Sequence, residues 1–196
     1  MSEIKRIGVL TGGGDCSGLN AVVRAVTLTA INKYGCEVIG FKKGYAGLYA
    51  NDYMELTVEN TEKILNQGGT ILRNSNKDNL FNYAYRDENG NIQHKDVSDV
   101  AVENLKKLNI DALVVIGGDG TYKGGMKLAK MGITCVGIPG TIDNDIASTE
   151  FTIGFDTAVN TAVEAIDKLR DTSNSHQRCS IVEVMGRYCG DLAYAA

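Results

Sequence analysis

Two glycine-rich turns, each directly after an apolar run, constrain the fold of this chain more than any other feature. The apolar run at 112–116 is followed by GGDGT at 117–121, and the run at 133–138 is followed by PGTIDND at 139–145. Helix-forming residues lie between the two. Strand, turn, helix and strand in this order predict parallel neighbouring strands. Their carboxyl ends then share one edge of the sheet, where open α/β sheets bind ligands.

The residues expected at this edge favour phosphate chemistry. Glycines allow backbone N–H groups to approach a phosphate closely. A carboxylate among phosphates is repelled unless a cation lies between them, so Asp119 predicts Mg²⁺, held directly or through water. Asp143 and Asp145 lie two residues apart and can take different roles, one as a general base and the other beside the metal.

Another glycine turn lies near the N-terminus. The apolar run at 7–10 ends in TGGGDCSG at 11–18, and an amphipathic helix is predicted from residue 19 to residue 34. A strand, a glycine turn and a helix N-terminus form an anion cradle. A dinucleotide fingerprint would need glycine at Ser17, and a Walker A loop would need lysine at Leu19, so neither pattern is met. A tight turn without a ligand is the alternative.

The rest of the chain predicts further alternation of strands and helices. Asn89-Gly90 predicts a hairpin within the polar stretch 73–97. A long helix should run from about residue 152 through Arg170, and its apolar positions should be core. Those positions are Val159, Val163, Ile166 and Leu169. The other predicted elements are a strand at 37–41, a helix at 61–66, a helix at 97–108 and a buried strand at 179–184.

Composition excludes several classes of protein. The chain has 196 residues, of which 43 % are hydrophobic and 22 % charged, and its net charge of −4 argues against nucleic-acid binding. No apolar run approaches the roughly 20 residues of a membrane helix. The chain begins without a signal-peptide pattern, and its five cysteines show no CxxC spacing. We therefore expect reduced thiols in a cytoplasmic protein with no membrane contact.

These motifs together resemble the 6-phosphofructokinase family. GGDGT followed by PGTIDND is similar to the paired signature of that family. GGGDCSGLNAVVR, at 12–24, resembles its first glycine motif, usually GGDxPGxN, although Ser17 replaces the usual proline. KKGYAGL at 42–48 resembles a GYxGL turn, and QGGTIL at 67–72 resembles a GGTxL strand of the family. SHQRCSIVEVMGRYCG at 175–190 matches closely. Family members are longer. No glycine, proline or C-cap directly precedes the end of this chain, so we expect it to end inside a helix.

The resemblance implies a fold and a reaction. The fold would be Rossmann-like and three-layered, with a mainly parallel sheet and helices on both faces. Residues 1–155 would form most of a nucleotide-binding α/β domain, and 156–196 would begin a sugar-phosphate-binding α/β domain. The intact protein would be a glycolytic, cytoplasmic homotetramer that transfers the γ-phosphoryl of ATP to the 1-hydroxyl of fructose 6-phosphate with Mg²⁺. The isolated 196-residue chain is expected to be inactive.

The resemblance also implies roles for individual residues. Asp143 would be the general base and Thr141 would help place the sugar, while Asp119 and Asp145 would hold Mg²⁺. Nucleotide binding falls to Gly14, Tyr45, Arg86, Gly118, Asp119, Gly120, Thr121 and Gly124. Sugar-phosphate binding falls to Thr141, Ile142, Asp143, Met185, Gly186 and Arg187, with Arg178 reaching the 6-phosphate of a neighbouring subunit.

Allosteric control is the least complete part of the resemblance. Arg24 and Arg170 match two of the arginines that bind ADP or phosphoenolpyruvate in bacterial members. Two other matching positions hold Leu28 and Val58, which cannot bind phosphate, so weak regulation is expected.

Three alternatives remain open from the sequence. Pyrophosphate-using relatives carry an aspartate after GGD and a lysine before TxDND, where this chain has Gly120 and Gly140. An NAD kinase shares GGDGT but not PGTIDND or MGR. A nucleotide-binding chain without catalysis is the third alternative.

The polar loop at 73–97 departs from the family. The family has an arginine at the position of Asn76, and either Arg73 or Lys77 would have to replace it.

Overall fold

The computed structural model describes residues 4–196. A five-stranded sheet forms its centre, and a two-stranded hairpin lies apart from it. The strands are β1 (Arg6–Thr11), β2 (Glu37–Phe41), β3 (Tyr53–Leu56), β4 (Tyr83–Arg86), β5 (Ile92–Lys95), β6 (Ala112–Gly117) and β7 (Thr134–Pro139). The helices are α1 (Leu19–Tyr34), α2 (Tyr45–Ala50), α3 (Val58–Thr61), α4 (Ser98–Lys107), α5 (Asp119–Lys130), α6 (Phe155–Ser175) and α7 (Asp191–Ala195).

The order of the strands positions the site. The sheet runs β3-β2-β1-β6-β7, and only β3 is antiparallel to its neighbour. The chain leaves β1 toward β2 on one side and returns to pair β6 on the other side. This reversal is a topological switch point, where parallel α/β sheets leave a crevice at the carboxyl ends of their strands. The turns after β1, β6 and β7 therefore meet at one edge.

Two apolar layers cover the two faces of the sheet. Along β6, Leu113 and Val115 pack on the face that holds α4 and α5, whereas Val114 and Ile116 pack on the face that holds α1. All six residues of β6 are buried, as expected for a central parallel strand. The predicted three-layer α/β fold is confirmed.

The hairpin predicted from Asn89-Gly90 is also present. Strands β4 and β5 pair antiparallel, and Gly90 adopts a φ of 83° in the turn between them. Asp87 stabilises the turn, since its Oδ1 accepts from the backbone N–H groups of Asn89 (3.0 Å) and Asn91 (2.8 Å).

Two predictions around residues 61–72 are wrong. The helix expected at 61–66 is instead α3 at Val58–Thr61, because Thr57 and Asn60 form a capping box that starts the helix earlier. The stretch 67–72 forms turns and no strand. Both edges of β2 are already paired, with β1 and β3, so it offers no edge to a further strand.

The predicted core face of α6 is wrong as well. Val159, Val163 and Ile166 are only half-buried, and Leu169 is 40 % exposed. Helical periodicity predicted the apolar face correctly, but burial needs a second layer. Within residues 4–196, the fully buried part of this face is limited to Phe155 and Ala162, which pack with Leu192. The helix continues to Ser175, past the predicted end at Arg170.

The segment at 179–184 is not the buried strand that its apolar residues predicted. It has no regular secondary structure, and Ile181 is 93 % exposed. In the described part of the chain, no strand pairs with it.

All five cysteines are free thiols, with Cys16 and Cys36 buried. No helix within residues 4–196 combines the length and apolar character that crossing a bilayer requires.

Candidate functional site

The carboxyl ends of β1, β6 and β7 open into one cleft of about 1280 Å³. Its walls include the glycine turn at 13–15, the first turn of α5, the turn at 140–145 after β7 and the segment 183–187. The two turns that the sequence predicted at one edge are thus brought together, and the N-terminal glycine turn joins them.

The turns after β1 and β6 lie in direct contact. The N–H of Gly12 donates to the carbonyl of Ile116 at 2.9 Å. A Cβ built on Gly117 would lie 2.4 Å from Thr121 Oγ1 and 2.5 Å from the Gly12 carbonyl oxygen, so only glycine fits there. Gly14 differs, because nothing lies within 4 Å of its Cβ position and it faces the cleft.

The α5 helix begins at this contact. Gly118 is its N-cap and supplies no side-chain bond, so N–H groups of the first turn lack side-chain or intrahelical partners at the cleft. Such groups favour an anion, as does the helix dipole. Gly118, Gly120 and Thr121 line the cleft here, with Thr121 itself buried. The Asp119 carboxylate lies at the same end, where Lys123 Nζ is 2.6 Å from its Oδ2.

Tyr45 packs against the first two turns of α5 and holds them in place. The side chain is only 8 % exposed, and its hydroxyl donates to the Thr121 carbonyl at 2.5 Å. Its ring lies against Gly124, where a Cβ would come within 2.6 Å of it. Burial raises the pKa of the Tyr45 hydroxyl, which therefore stays protonated as a donor. Tyr45 and Gly124 reach the cleft wall, and their observed contacts hold the helix rather than present a free polar group.

The turn at 140–145 carries the candidate base. Thr141 Oγ1 accepts from the Asp143 N–H at 3.2 Å, and the Thr141 carbonyl accepts from the Gly154 N–H at 3.1 Å. Asn144 adopts a φ of 55°, and its Oδ1 accepts from the Thr152 N–H at 3.0 Å. These bonds fix the turn against the start of α6 and hold Asp143 at the cleft.

Electrostatics make Asp143 more basic than an ordinary aspartate. Burial raises its pKa, the charge of Asp145 raises it further, and Arg187 partly opposes both effects. A carboxylate with a raised pKa accepts a proton more readily near neutral pH, which suits a general base.

The carboxylates fit Mg²⁺ bound together with phosphates. Asp119 and Asp145 both line the cleft, beside Asp143. Within residues 4–196, no three or more histidines, cysteines or carboxylates are close enough to form a complete metal site. Mg²⁺ at phosphate sites takes one or two carboxylates and completes its octahedron with phosphate oxygens and water, which matches this donor set.

The candidate sugar-binding residues divide into two groups. Met185, Gly186 and Arg187 line the cleft together with Thr141 and Ile142. Arg178 lies outside this lining, exposed just after α6, and its N–H donates to the Ser173 carbonyl at 2.8 Å.

Three other predicted arginines also lie away from the cleft lining. Arg86 is in the hairpin and donates to the Gly90 carbonyl at 3.0 Å. Arg24, on α1, donates from Nε to the Glu62 carbonyl at 3.0 Å, and Arg170 pairs with Asp167 at 3.2 Å on α6. The structure therefore does not bring Arg86 to the predicted nucleotide site.

Comparison with protein families decides the relationship. The pattern of the phosphofructokinase family matches residues 6–196. The chain belongs to this family. It is 58 % identical over 193 residues to ATP-dependent 6-phosphofructokinase 2 of Clostridium perfringens (strain 13 / Type A), in an alignment that covers 98 % of this chain and 53 % of that protein. The chain thus spans about half the length of this curated relative.

Solved phosphofructokinases share the fold. The Saccharomyces cerevisiae structure matches with a TM-score of 0.80 at 35 % identity, over 96 % of this chain and 27 % of that chain. A pyrophosphate-dependent phosphofructokinase from Marinobacter aquaeolei matches with a TM-score of 0.73 at 21 % identity, over 98 % of this chain and 48 % of that chain. The second likeness concerns the fold alone.

Two parts of the phosphofructokinase cleft were predicted only in part or not at all. Of the segment 75–81 the sequence named Asn76 and Lys77, which both line the cleft, whereas Arg73 does not. The segment 75–81 forms one wall, and it is joined to the glycine turn because Asn74 Nδ2 donates to the Gly14 carbonyl at 3.2 Å. The other part is a row of lysines on α5, at 123, 127 and 130. Helical spacing from Asp119 was the signal that could have revealed this row.

Proposed function

We propose that the protein is an ATP-dependent 6-phosphofructokinase that uses Asp143 as its general base. The observation that carries the proposal is the position of Asp143: it lies in the cleft formed with the glycine turn and the α5 N-terminus, and burial and Asp145 raise its pKa. A site that can bind the donor phosphates lies in the same cleft as a basic carboxylate. This arrangement suits phosphoryl transfer to a hydroxyl.

The proposed step uses this chain's residues in defined roles. Asp143 takes the proton of the fructose 6-phosphate 1-hydroxyl as that oxygen attacks the γ-phosphorus. The bond between the γ-phosphorus and the bridging oxygen breaks, and ADP leaves. Asp119 and Asp145 would hold Mg²⁺, whose charge offsets the negative charge on the transferring group. Gly14 and the α5 N-terminus would receive the donor phosphates.

ATP is favoured over pyrophosphate as the donor at one position. Nothing lies within 4 Å of a Cβ on Gly120, so this glycine leaves open space in the cleft. Gly140 is a weaker argument. A Cβ there would lie 2.8 Å from Leu19 Cδ2 and 3.0 Å from Ile116 Cγ2, so packing alone explains the glycine. The name of the 58 % identical relative also supports ATP.

Fructose 6-phosphate binding would use both groups of sugar-site residues. Thr141, Met185, Gly186 and Arg187 would contact the sugar within the cleft. Arg178 would bind the 6-phosphate in a neighbouring subunit, which its exposed position outside its own cleft supports. We further propose a cytoplasmic, glycolytic homotetramer with a nucleotide-binding domain at 1–155 and a sugar-phosphate domain beginning at 156.

A nucleotide-binding chain without catalysis is the second candidate for these 196 residues. It is favoured by the exposed, irregular segment at 179–184, which precedes the sugar-site residues, and by Arg178 outside the cleft.

Calorimetric titration with MgAMP-PNP and with Mg-pyrophosphate tests the donor assignment. Binding of the nucleotide analogue but not pyrophosphate, and its weakening in Gly120→Asp, is expected. The reverse preference would favour the pyrophosphate-dependent alternative.

A further inference from the structure

Lys123 occupies the carboxylate that the proposed function assigns to Mg²⁺. Its Nζ lies 2.6 Å from Asp119 Oδ2, and both residues line the cleft. We propose that Lys123 is a donor-site residue with two alternative partners. It holds Asp119 when no divalent cation is bound, and it moves to the donor phosphates when the cation takes the carboxylate. This inference rests on the proposed function, because it needs a metal at Asp119.

Helix stability alone does not account for this lysine. It forms an i,i+4 pair with Asp119, and such a pair stabilises a helix by only about 0.2–0.5 kcal/mol. The two side chains are 70 % and 48 % exposed, and an ion pair this exposed contributes little to folding.

The position of Lys123 within the lysine row singles it out. Lys127 already contacts the cleft wall formed by residues 75–81, since its Nζ lies 4.5 Å from the centroid of the Phe81 ring. Lys130 is at the far end of α5. Lys123 is therefore the member of the row beside the helix N-terminus, where a bound phosphate would lie. Its flexible stem carries three donors that can turn from a carboxylate to phosphate oxygens.

The charges predict that metal and donor respond to Lys123 in opposite directions. A cation arriving alone competes with the ammonium group for Asp119 and is repelled by it. A cation arriving with phosphates brings new acceptors for the same ammonium group. Removing the positive charge should therefore strengthen binding of the bare cation and weaken binding of the metal–nucleotide complex.

The test compares Lys123→Met with the unsubstituted protein. Mn²⁺, as a Mg²⁺ probe, is titrated without nucleotide by electron paramagnetic resonance, and MgAMP-PNP is titrated by calorimetry. We expect Mn²⁺ to bind about two- to fivefold more tightly, the scale of an exposed ion pair. We expect MgAMP-PNP to bind about tenfold more weakly, the scale of one hydrogen bond to a charged group.

Lys168→Met is the matched control. Lys168 Nζ lies 2.6 Å from Glu164 Oε1 with the same four-residue spacing, but on α6 and outside the cleft lining. This variant should leave both titrations unchanged. The proposal is overturned if Lys123→Met weakens the binding of both Mn²⁺ and MgAMP-PNP, or changes the binding of neither.

Asp119→Asn separates this proposal from the proposed function. If it abolishes Mn²⁺ binding while Lys123→Met changes neither titration, the metal assignment stands and the role of Lys123 is wrong. If Asp119→Asn changes neither Mn²⁺ binding nor MgAMP-PNP binding, the metal assignment and the role of Lys123 are both wrong.

Discussion

At Asp143, burial and the charge of Asp145 both raise the pKa, whereas the charge of Arg187 lowers it. The folded protein therefore favours the protonated form of Asp143 more than the unfolded chain does. A carboxyl group whose folded pKa is raised contributes stability below its unfolded pKa of about 3.9, and this contribution is lost as the pH rises through the folded value. At neutral pH the charged carboxylate is thus a cost to folding.

Asp143→Asn removes this cost, because the amide is neutral at every pH. We expect the variant to melt at a higher temperature than the unsubstituted protein at pH 7.5, by an amount equivalent to at most about 1 kcal/mol, since water screens a half-exposed group. The difference should narrow toward pH 4. Differential scanning calorimetry across this pH range measures the difference in stability. A variant that is less stable than the parent at pH 7.5 would show that the charged Asp143 carboxylate does not destabilise the fold.

At the scale of elements, the first turn of α5 joins fold and site. Gly124 lies against the Tyr45 ring, which is buried and hydrogen-bonded to Thr121, whereas Gly120 faces open space. A methyl group at position 124 must displace the ring or the helix. The same methyl group at position 120 meets nothing within 4 Å and improves helix propensity.

Gly124→Ala and Gly120→Ala should therefore differ in sign. We expect Gly124→Ala to destabilise the fold by about 1–3 kcal/mol through overpacking. Gly120→Ala should be neutral or stabilising, by up to about 1 kcal/mol. Urea unfolding followed by circular dichroism gives both free energies, and equal effects at the two positions would mean that Tyr45 does not hold α5 as described.

The same elements show what the sequence could predict. β6, α5 and β7 follow from contiguous periodicity, and the site residues at 118–121 and 141–145 follow because each motif lies directly at a strand end. The α6 face and the segment at 179–184 failed, since burial and strand pairing depend on neighbours that periodicity does not reveal. Of the cleft wall at 75–81 only Asn76 and Lys77 were named, because the segment approaches the site through tertiary contacts such as Asn74 with Gly14.

At the scale of the whole molecule, the donor side and the sugar side of the proposed site differ in how much regular secondary structure supports them. The donor side is built from turns that paired strands and α5 hold in place, whereas residues 179–185 are irregular, with Ile181 93 % and Met185 75 % exposed. Binding energy from the remote 6-phosphate helps to place the reacting hydroxyl, so an incomplete sugar side lowers turnover as well as affinity.

We therefore expect the 196-residue chain to bind MgAMP-PNP but to form little fructose 1,6-bisphosphate. Its exposed apolar groups should also favour self-association. A coupled product assay and analytical ultracentrifugation test the two statements. Turnover in the usual kinase range of about 1–100 s⁻¹ would contradict the first, and a monomer at all concentrations would contradict the second.

Effector control is expected to be weak. Arg24 and Arg170 match two effector arginines of the resemblance, but Leu28 and Val58 occupy two other positions and offer no charge to a phosphate. Saturation curves for fructose 6-phosphate, in a form extended over the length of the curated relative, should shift less than about twofold with ADP or phosphoenolpyruvate, since the remaining arginines retain only part of a bidentate phosphate site. A shift of several-fold would contradict this.

In the proposed reaction, Asp143 removes the hydroxyl proton during transfer from ATP. The most direct measurement is kcat of Asp143→Asn against the parent, in the same extended form, with ATP and with pyrophosphate as donors. We expect ATP to be the donor and kcat to fall at least about a hundredfold, the usual contribution of a general base, with little change in MgAMP-PNP affinity. Near-normal turnover by Asp143→Asn would contradict the role of Asp143, and better turnover with pyrophosphate would contradict ATP as the donor.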